Sequence, residues 1–253
     1  MKSVKLLSSF FVAVALSGCV IHVNAQRADV ELQETLTLNS QSLTRFDLET
    51  GAGSLEVVGV KSASEITVDA QIRTTEDRNY ILTLEKSGDT AELVAKHESH
   101  TGYWKGSSPA IDLVISVPSH LLVNIDDGSG DIKVRDLDNQ LTIEDGSGSA
   151  SVENIKGNVD IDDGSGSLLV RNVDGNVRID DGSGELSIAQ VTGDVMVEDG
   201  SGDLNVYDVG GSVVIDDGSG SIDVNKAGGL EIIESGSGGL NINNVVGAVN
   251  IDD

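Results

Sequence analysis

The chain spells Gly-Ser-Gly seven times, and the first glycine of each copy falls 18 residues after the previous one: Gly128, Gly146, Gly164, Gly182, Gly200, Gly218 and Gly236. Aspartate stands immediately before six of the seven copies. A spacing that never slips means one structural unit per repeat, with each unit packing only on its neighbours. The expectation is a solenoid rather than a globular core.

Numbered from its first glycine, each unit carries aliphatic residues at positions 5, 7, 10, 14 and 16, as in Leu168, Val170, Val173, Val177 and Ile179. Of the 35 such slots, 34 hold Ile, Leu, Val or Ala, and the exception is Glu231. The pairs 5/7 and 14/16 have the period of a strand, while the glycine-bearing stretches between them reverse the chain. Each unit is therefore a coil of two short strands and two corners, and the fold class is an all-β, single-domain parallel β-solenoid. At the first corner, Asp-Gly-Ser-Gly, glycine permits positive φ and the aspartate can accept from the turn's own N–H groups. The second is expected at position 12, where Gly157, Gly175, Gly193, Gly211, Gly229 and Gly247 follow Asn139, a residue tolerant of the left-handed region. Position 9, mostly Asn or Asp, reads as a ladder bonding backbone. In coil six, Leu230-Glu231-Ile232-Ile233 moves the alternation by one residue, which a bulge turning Glu231 outward would absorb. At a strand spacing of about 4.8 Å, seven coils make a rod on the order of 35 Å long.

Two other architectures with this period fail. A hexapeptide helix needs an aliphatic residue every six positions, and the calcium-binding nonapeptide roll needs two glycine-rich turns per coil with aspartate after the glycines. Here one corner is of that kind, and its aspartate comes first.

Four segments precede or make up the rod. Residues 1–18 are basic and then apolar, too short to span a bilayer, and read as an export signal. Leu16-Ser17-Gly18-Cys19 resembles a lipobox, making Cys19, the only cysteine, the lipidation site. Cleavage after Val23-Asn24-Ala25 is the other reading, and it would release a soluble periplasmic protein. Residues 19–29 form a tether. Residues 30–118 are irregular β structure, with strands expected over 31–38, 44–48, 54–60, 65–72, 80–84, 92–95 and 111–117. Within them Gly51 to Val60 echoes a coil such as Gly164 to Val173, so the solenoid begins there in degenerate form and its irregular coils cap the N-terminal end. Residues 119–253 are the regular repeats.

The formal charge is −26, and from Asp126 onward 27 acids face 6 bases. Nucleic acid and anionic lipid are poor partners for such a surface, so membrane contact is expected only through the N-terminal lipid.

Three stretches, Ile111-Asp112-Leu113-Val114-Ile115-Ser116-Val117-Pro118, Leu122-Val123-Asn124-Ile125 and Asp127-Gly128-Ser129-Gly130-Asp131-Ile132-Lys133-Val134, resemble a bacterial family of exported β-solenoid proteins known as "putative adhesins". The resemblance covers about residues 40–253. It implies an exported solenoid and brings no catalytic residues with it. Val20 after Cys19 is not the aspartate that retains lipoproteins in the inner membrane, so the outer membrane is expected if the host is Gram-negative.

Chemistry concentrates at the acidic corner. Asp127, Asp145, Asp163, Asp181, Asp199 and Asp217, each preceded by another acid, repeat at coil spacing. Turn N–H groups can offset the charge at position 18, and water and counterions at position 17; the functional alternative is calcium held between coils by carboxylates and turn carbonyls. Tyr103-Trp104, in a polar loop, is a candidate contact for an envelope glycan or a protein ligand; the other reading is that the pair packs over the end of the solenoid. His97 and His100 flank the start of the same loop and read as exposed rather than as metal ligands. No histidine accompanies the serine ladder, so nucleophilic catalysis is not expected. The reading is a non-enzymatic envelope rod for adhesion, scaffolding or binding; the alternative is a β-helix enzyme acting on polysaccharide, which would need long loops around paired carboxylates. An open strand edge at the C-terminal coil would also allow end-to-end self-association.

Overall fold

The computed structural model describes residues 27–98, 104 and 106–252. Cys19, the export signal, His100 and Tyr103 lie outside the described residues, as does the first part of the tether. The described residues form twenty strands and no helix, so no helix long and apolar enough to cross a membrane occurs among them.

Two sheets of stacked strands face each other across one aliphatic core. One contains β9 (Ile132–Arg135), β11 (Ala150–Ile155), β13 (Leu168–Val173), β15 (Leu186–Val191), the start of β17 (Leu204–Asp217), the start of β18 (Ile222–Glu234) and β19 (Leu240–Val245). The other contains β8 (Leu122–Ser129), β10 (Leu141–Asp145), β12 (Val159–Asp163), β14 (Val177–Asp181), β16 (Val195–Asp199), the ends of β17 and β18, and β20 (Val249–Ile251). Every pairing here is parallel and, apart from the ends of β17 and β18, in register by one 18-residue coil: Ile143 sits on Ile161, which sits on Ile179. Like thereby stacks on like, and the aliphatic columns are buried along the core.

The irregular N-terminal third completes both sheets and closes one end. β2 (Arg45–Ala52) and β3 (Leu55–Val60) form the degenerate coil and stack on β8 and β9. On the other side of that coil lie β6 (Thr90–His97) and β7 (Ala110–Pro118), which come later in the chain. The coils are thus not stacked in sequence order here. Beyond them the pairing turns antiparallel: β5 (Tyr80–Ser87) on β6, and β4 (Glu65–Thr74) on β7 with β1 (Val30–Asn39) outermost. Leu32, Leu36 and Leu38 of β1 and Tyr80, Leu82 and Leu84 of β5 pack against the core from this end. An antiparallel end strand with a polar outer side is how a solenoid end avoids further pairing.

The second corner differs from the expectation. The left-handed residues are those of position 9, Asp136, Asn154, Asn172, Gln190, Asp208, Lys226 and Asn244, with φ between 57° and 68°. Asn and Asp suit this conformation, and their side chains also bond one another along the stack: Asn154 Nδ2 donates to Asp136 Oδ1 at 2.9 Å and Asn172 Nδ2 to Asn154 Oδ1 at 3.1 Å. The position-12 glycines other than Gly229 are required for space instead. A Cβ on Gly175 would stand 2.3 Å from the Gly157 carbonyl oxygen.

Coil six absorbs its irregularity as a pair of register shifts. Leu230 pairs with Val213 and Ile232 with Ile215, then Glu234 with Asp216. Leu230 and Ile232 are buried, and Glu231 points to solvent as expected. Ile233, which the repeat numbering placed in the core, is 48% exposed.

Candidate functional site: the acidic corner

Alternation decides where the two acids of each corner point. In β12, Val159 and Ile161 are buried, Asp160 and Asp162 are exposed, and Asp163 is buried again. Position 18 shares its parity with the core positions 14 and 16, so it must face inward.

The outward row runs Glu49, Asp126, Glu144, Asp162, Asp180, Glu198, Asp216 and Glu234, each paired in register with the next. Among the described residues, cations reach only two of the eight: Lys96 bonds Glu49, and Arg178 Nη2 lies 3.3 Å from Glu198 Oε1. The row is an acidic stripe along one edge of the rod, hydrated and screened by salt.

The inward row consists of Asp127, Asp145, Asp163, Asp181, Asp199 and Asp217, none more than 5% exposed. In five of them Oδ1 accepts the N–H of the serine two residues on, at 3.0 to 3.1 Å. This is the turn bond expected from Asp-Gly-Ser. At the sixth, Asp127, Oδ1 accepts instead from the Thr50 hydroxyl at 2.5 Å. Oδ2 of all six is buried and has no hydrogen-bond partner.

Burial is the first cause of a raised pKa throughout the row. Asp163 and Asp181 are pushed up to about 6, by burial and then by the carboxyls stacked beside them. Asp127 also reaches about 6 through burial, although the Thr50 hydroxyl pulls it back. Asp145, Asp199 and Asp217 are raised for the same leading reason.

As calcium ligands these residues have little to offer from where they stand. Their side chains face the core, one oxygen of each already accepts a hydrogen bond, and the void between Asp127, Thr50 and Leu55 is too small for a water molecule. Among the described residues no group of three or more His, Cys, Asp or Glu is placed to hold a metal ion.

Thr50 had escaped the sequence reading. It pairs with Asp127 while Ala52 pairs with Ser129, so Thr50-Gly51-Ala52-Gly53 is the Asp-Gly-Ser-Gly corner of the degenerate coil. Aligning Gly51 with Gly128 would have shown it. Thr50→Val should remove the leading hydrogen bond that stabilises the Asp127 carboxylate, at a cost of about 1.5 to 3 kcal/mol at pH 8 and clearly less at pH 5; urea denaturation at the two pH values measures both.

The other candidates are partly described. Trp104 is half-buried in an isolated β-bridge. His97 ends β6 with its ring 6.1 Å from that of Tyr80, whose hydroxyl donates to Glu34 Oε1 at 2.5 Å. That bond and burial raise the Tyr80 pKa.

Comparison with known proteins agrees with this architecture. Crystal structures of two Parabacteroides distasonis proteins, named "putative lipid binding protein" and "putative adhesin", superpose with TM-scores of 0.51 and 0.50. They are 13% and 11% identical, cover 90% of this chain in each case, and are themselves covered over 99% and 100% of their length. At such identity the shared property is the fold. No curated protein sequence matches the chain. The family model described as Toastrack DUF4097 matches residues 62–244, most of the cap and nearly all the regular coils. The chain belongs to the Toastrack DUF4097 family.

Proposed function

We propose that this chain is a non-enzymatic rod, exported and lipid-anchored through Cys19, that presents its flat outer faces to an envelope glycan or protein ligand. The observation that carries the reading is the uniformity of those faces. From β8 to β20 one coil follows another with corners a few residues long, and outward side chains stand in straight ladders instead of surrounding a cleft. Such ladders suit repetitive binding, with contacts multiplied along the axis. An apolar element lies among them: Tyr207 is 51% exposed, and Leu169 and Met196 also reach solvent. The serines of the acidic corners use their N–H groups to close the turn, and the carboxyls beside them face the core.

Incubation with purified envelope polysaccharide separates this reading from glycan cleavage. Retention of polymer on the immobilised protein with no new reducing or unsaturated ends is the expected result; release of fragments would overturn it in favour of an enzyme. The anchor has its own test. Cys19→Ser should move the protein from the membrane fraction to the soluble fraction and abolish labelling by an alkyne fatty acid, whereas unchanged fractionation would favour cleavage after Ala25.

A further inference from the structure

The turn satisfies only half of each inward aspartate. One oxygen accepts an N–H or O–H, and the other, buried in all six residues, accepts nothing. A buried ionised carboxylate with an empty oxygen is strongly unfavourable. Stacking makes it worse, because successive carboxyls about one strand spacing apart repel. No Lys, Arg or His is buried among the described residues. The buried residues of the facing sheet are aliphatic, such as Val152, Val170 and Ile188, and the acids nearest the row are its own members and the outward Asp126, Asp162, Asp180 and Asp216.

A charge on these buried oxygens has to be neutralised, and at Asp127 the packing limits what can do it. The void at Asp127 has no room for water. A proton needs no room: placed on Oδ2 it cancels the charge and leaves Oδ1 free for the serine N–H. At one end of the row Thr50 precedes Asp127 in the stack, and its hydroxyl donates to Oδ1, again leaving Oδ2 as the oxygen without a partner.

We propose that the six inward aspartates form a proton-holding column, so that the solenoid tightens in mildly acidic medium and loosens as the pH rises. Each step is the uptake of one proton from solvent by one Oδ2. The sign follows from linkage: with folded pKa values above those of the unfolded chain, the folded state binds more protons. The stabilisation is complete below the unfolded carboxyl range and is lost as pH rises through about 6, the value reached by Asp127, Asp163 and Asp181.

The test is thermal unfolding of the full chain from pH 5 to pH 8, with Tm expected to fall by on the order of 10 °C. Asp163→Asn with Asp181→Asn retains the oxygen that accepts the serine N–H but cannot ionise, and should flatten that slope. Asp162→Asn with Asp180→Asn removes the same formal charge from the outward row and should leave the slope largely in place. Equal flattening by the two pairs would assign the effect to net charge and overturn the proposal. A calcium-selective rise in Tm that the inward pair abolishes would overturn it in favour of a cation. Infrared spectroscopy of the unsubstituted chain does not depend on the variants folding: a carboxylic-acid C=O band that persists at pH 5.5 and titrates near pH 6 supports the column, and its absence sinks it.

Discussion

Gly166→Val should leave no folded protein. The glycine at position 3 of each corner carries φ = 152° at Gly166, a conformation L side chains rarely adopt, and a Cβ there would stand 1.5 Å from the Gly148 carbonyl oxygen. That oxygen belongs to the backbone of the coil beneath, so no side chain can move aside to make room. Relief requires the two coils to separate at this corner, breaking the backbone bonds from the Gly148 N–H to the Ser165 carbonyl and from the Gly164 N–H to the Asp145 carbonyl that join them. Because each coil is stabilised only by its neighbours, the break divides the stack in two. Gly88→Ala is the matched control. Gly88 also has positive φ, 67°, but nothing lies within 4 Å of its would-be Cβ, so the cost is the backbone term alone, about 1 to 2 kcal/mol. Circular dichroism and soluble yield of the two variants provide the measurement. A soluble Gly166→Val protein melting within a few degrees of the parent would show that the corner has slack the geometry does not reveal.

How far the sequence discloses this structure depends on whether the information is local. Period two and a constant repeat length are local, so the coils, the aliphatic columns and the outward turn of Glu231 were legible. The inward course of Asp163 was also present in the spacing, since it lies two residues after Ile161, but that its second oxygen has no partner shows only in the packed corner. Two features were hidden for a different reason. The placement of β2–β3 between the later β6–β7 and the still later β8–β9 rests on pairings across many tens of residues, and no local pattern in Arg45–Val60 selects partners on both sides. The left-handed residue at position 9 competed with a glycine three positions later. Glycine is required both for positive φ and for close approach, and only the packed coil distinguishes the two at Gly175.

Ile161→Ala should destabilise the rod by about 2 to 5 kcal/mol, whereas Ile251→Ala should cost under about 1 kcal/mol by the same area argument. Both residues occupy position 16 and belong to the same column. Ile161 is 1% exposed, with Ile143 on one side and Ile179 on the other. Ile251 is 41% exposed and has Ile232 on one side only. Truncating Ile161 opens a cavity that neither neighbour can fill, since each is held by its own backbone ladder. Truncating Ile251 removes a side chain that is already half in water. The solenoid's energetics should therefore be graded along its axis: strong at the middle coils, weak in the seventh, where Leu240 and Val249 are also exposed. Hydrogen exchange should show the same gradient, with the amides of β19 and β20 exchanging through local fraying while those of β12 and β14 wait for cooperative unfolding. Urea denaturation of the two alanine variants tests the claim directly. Equal losses at Ile161 and Ile251 would mean that the rod unfolds as one indivisible unit and that nearest-neighbour coupling does not describe it.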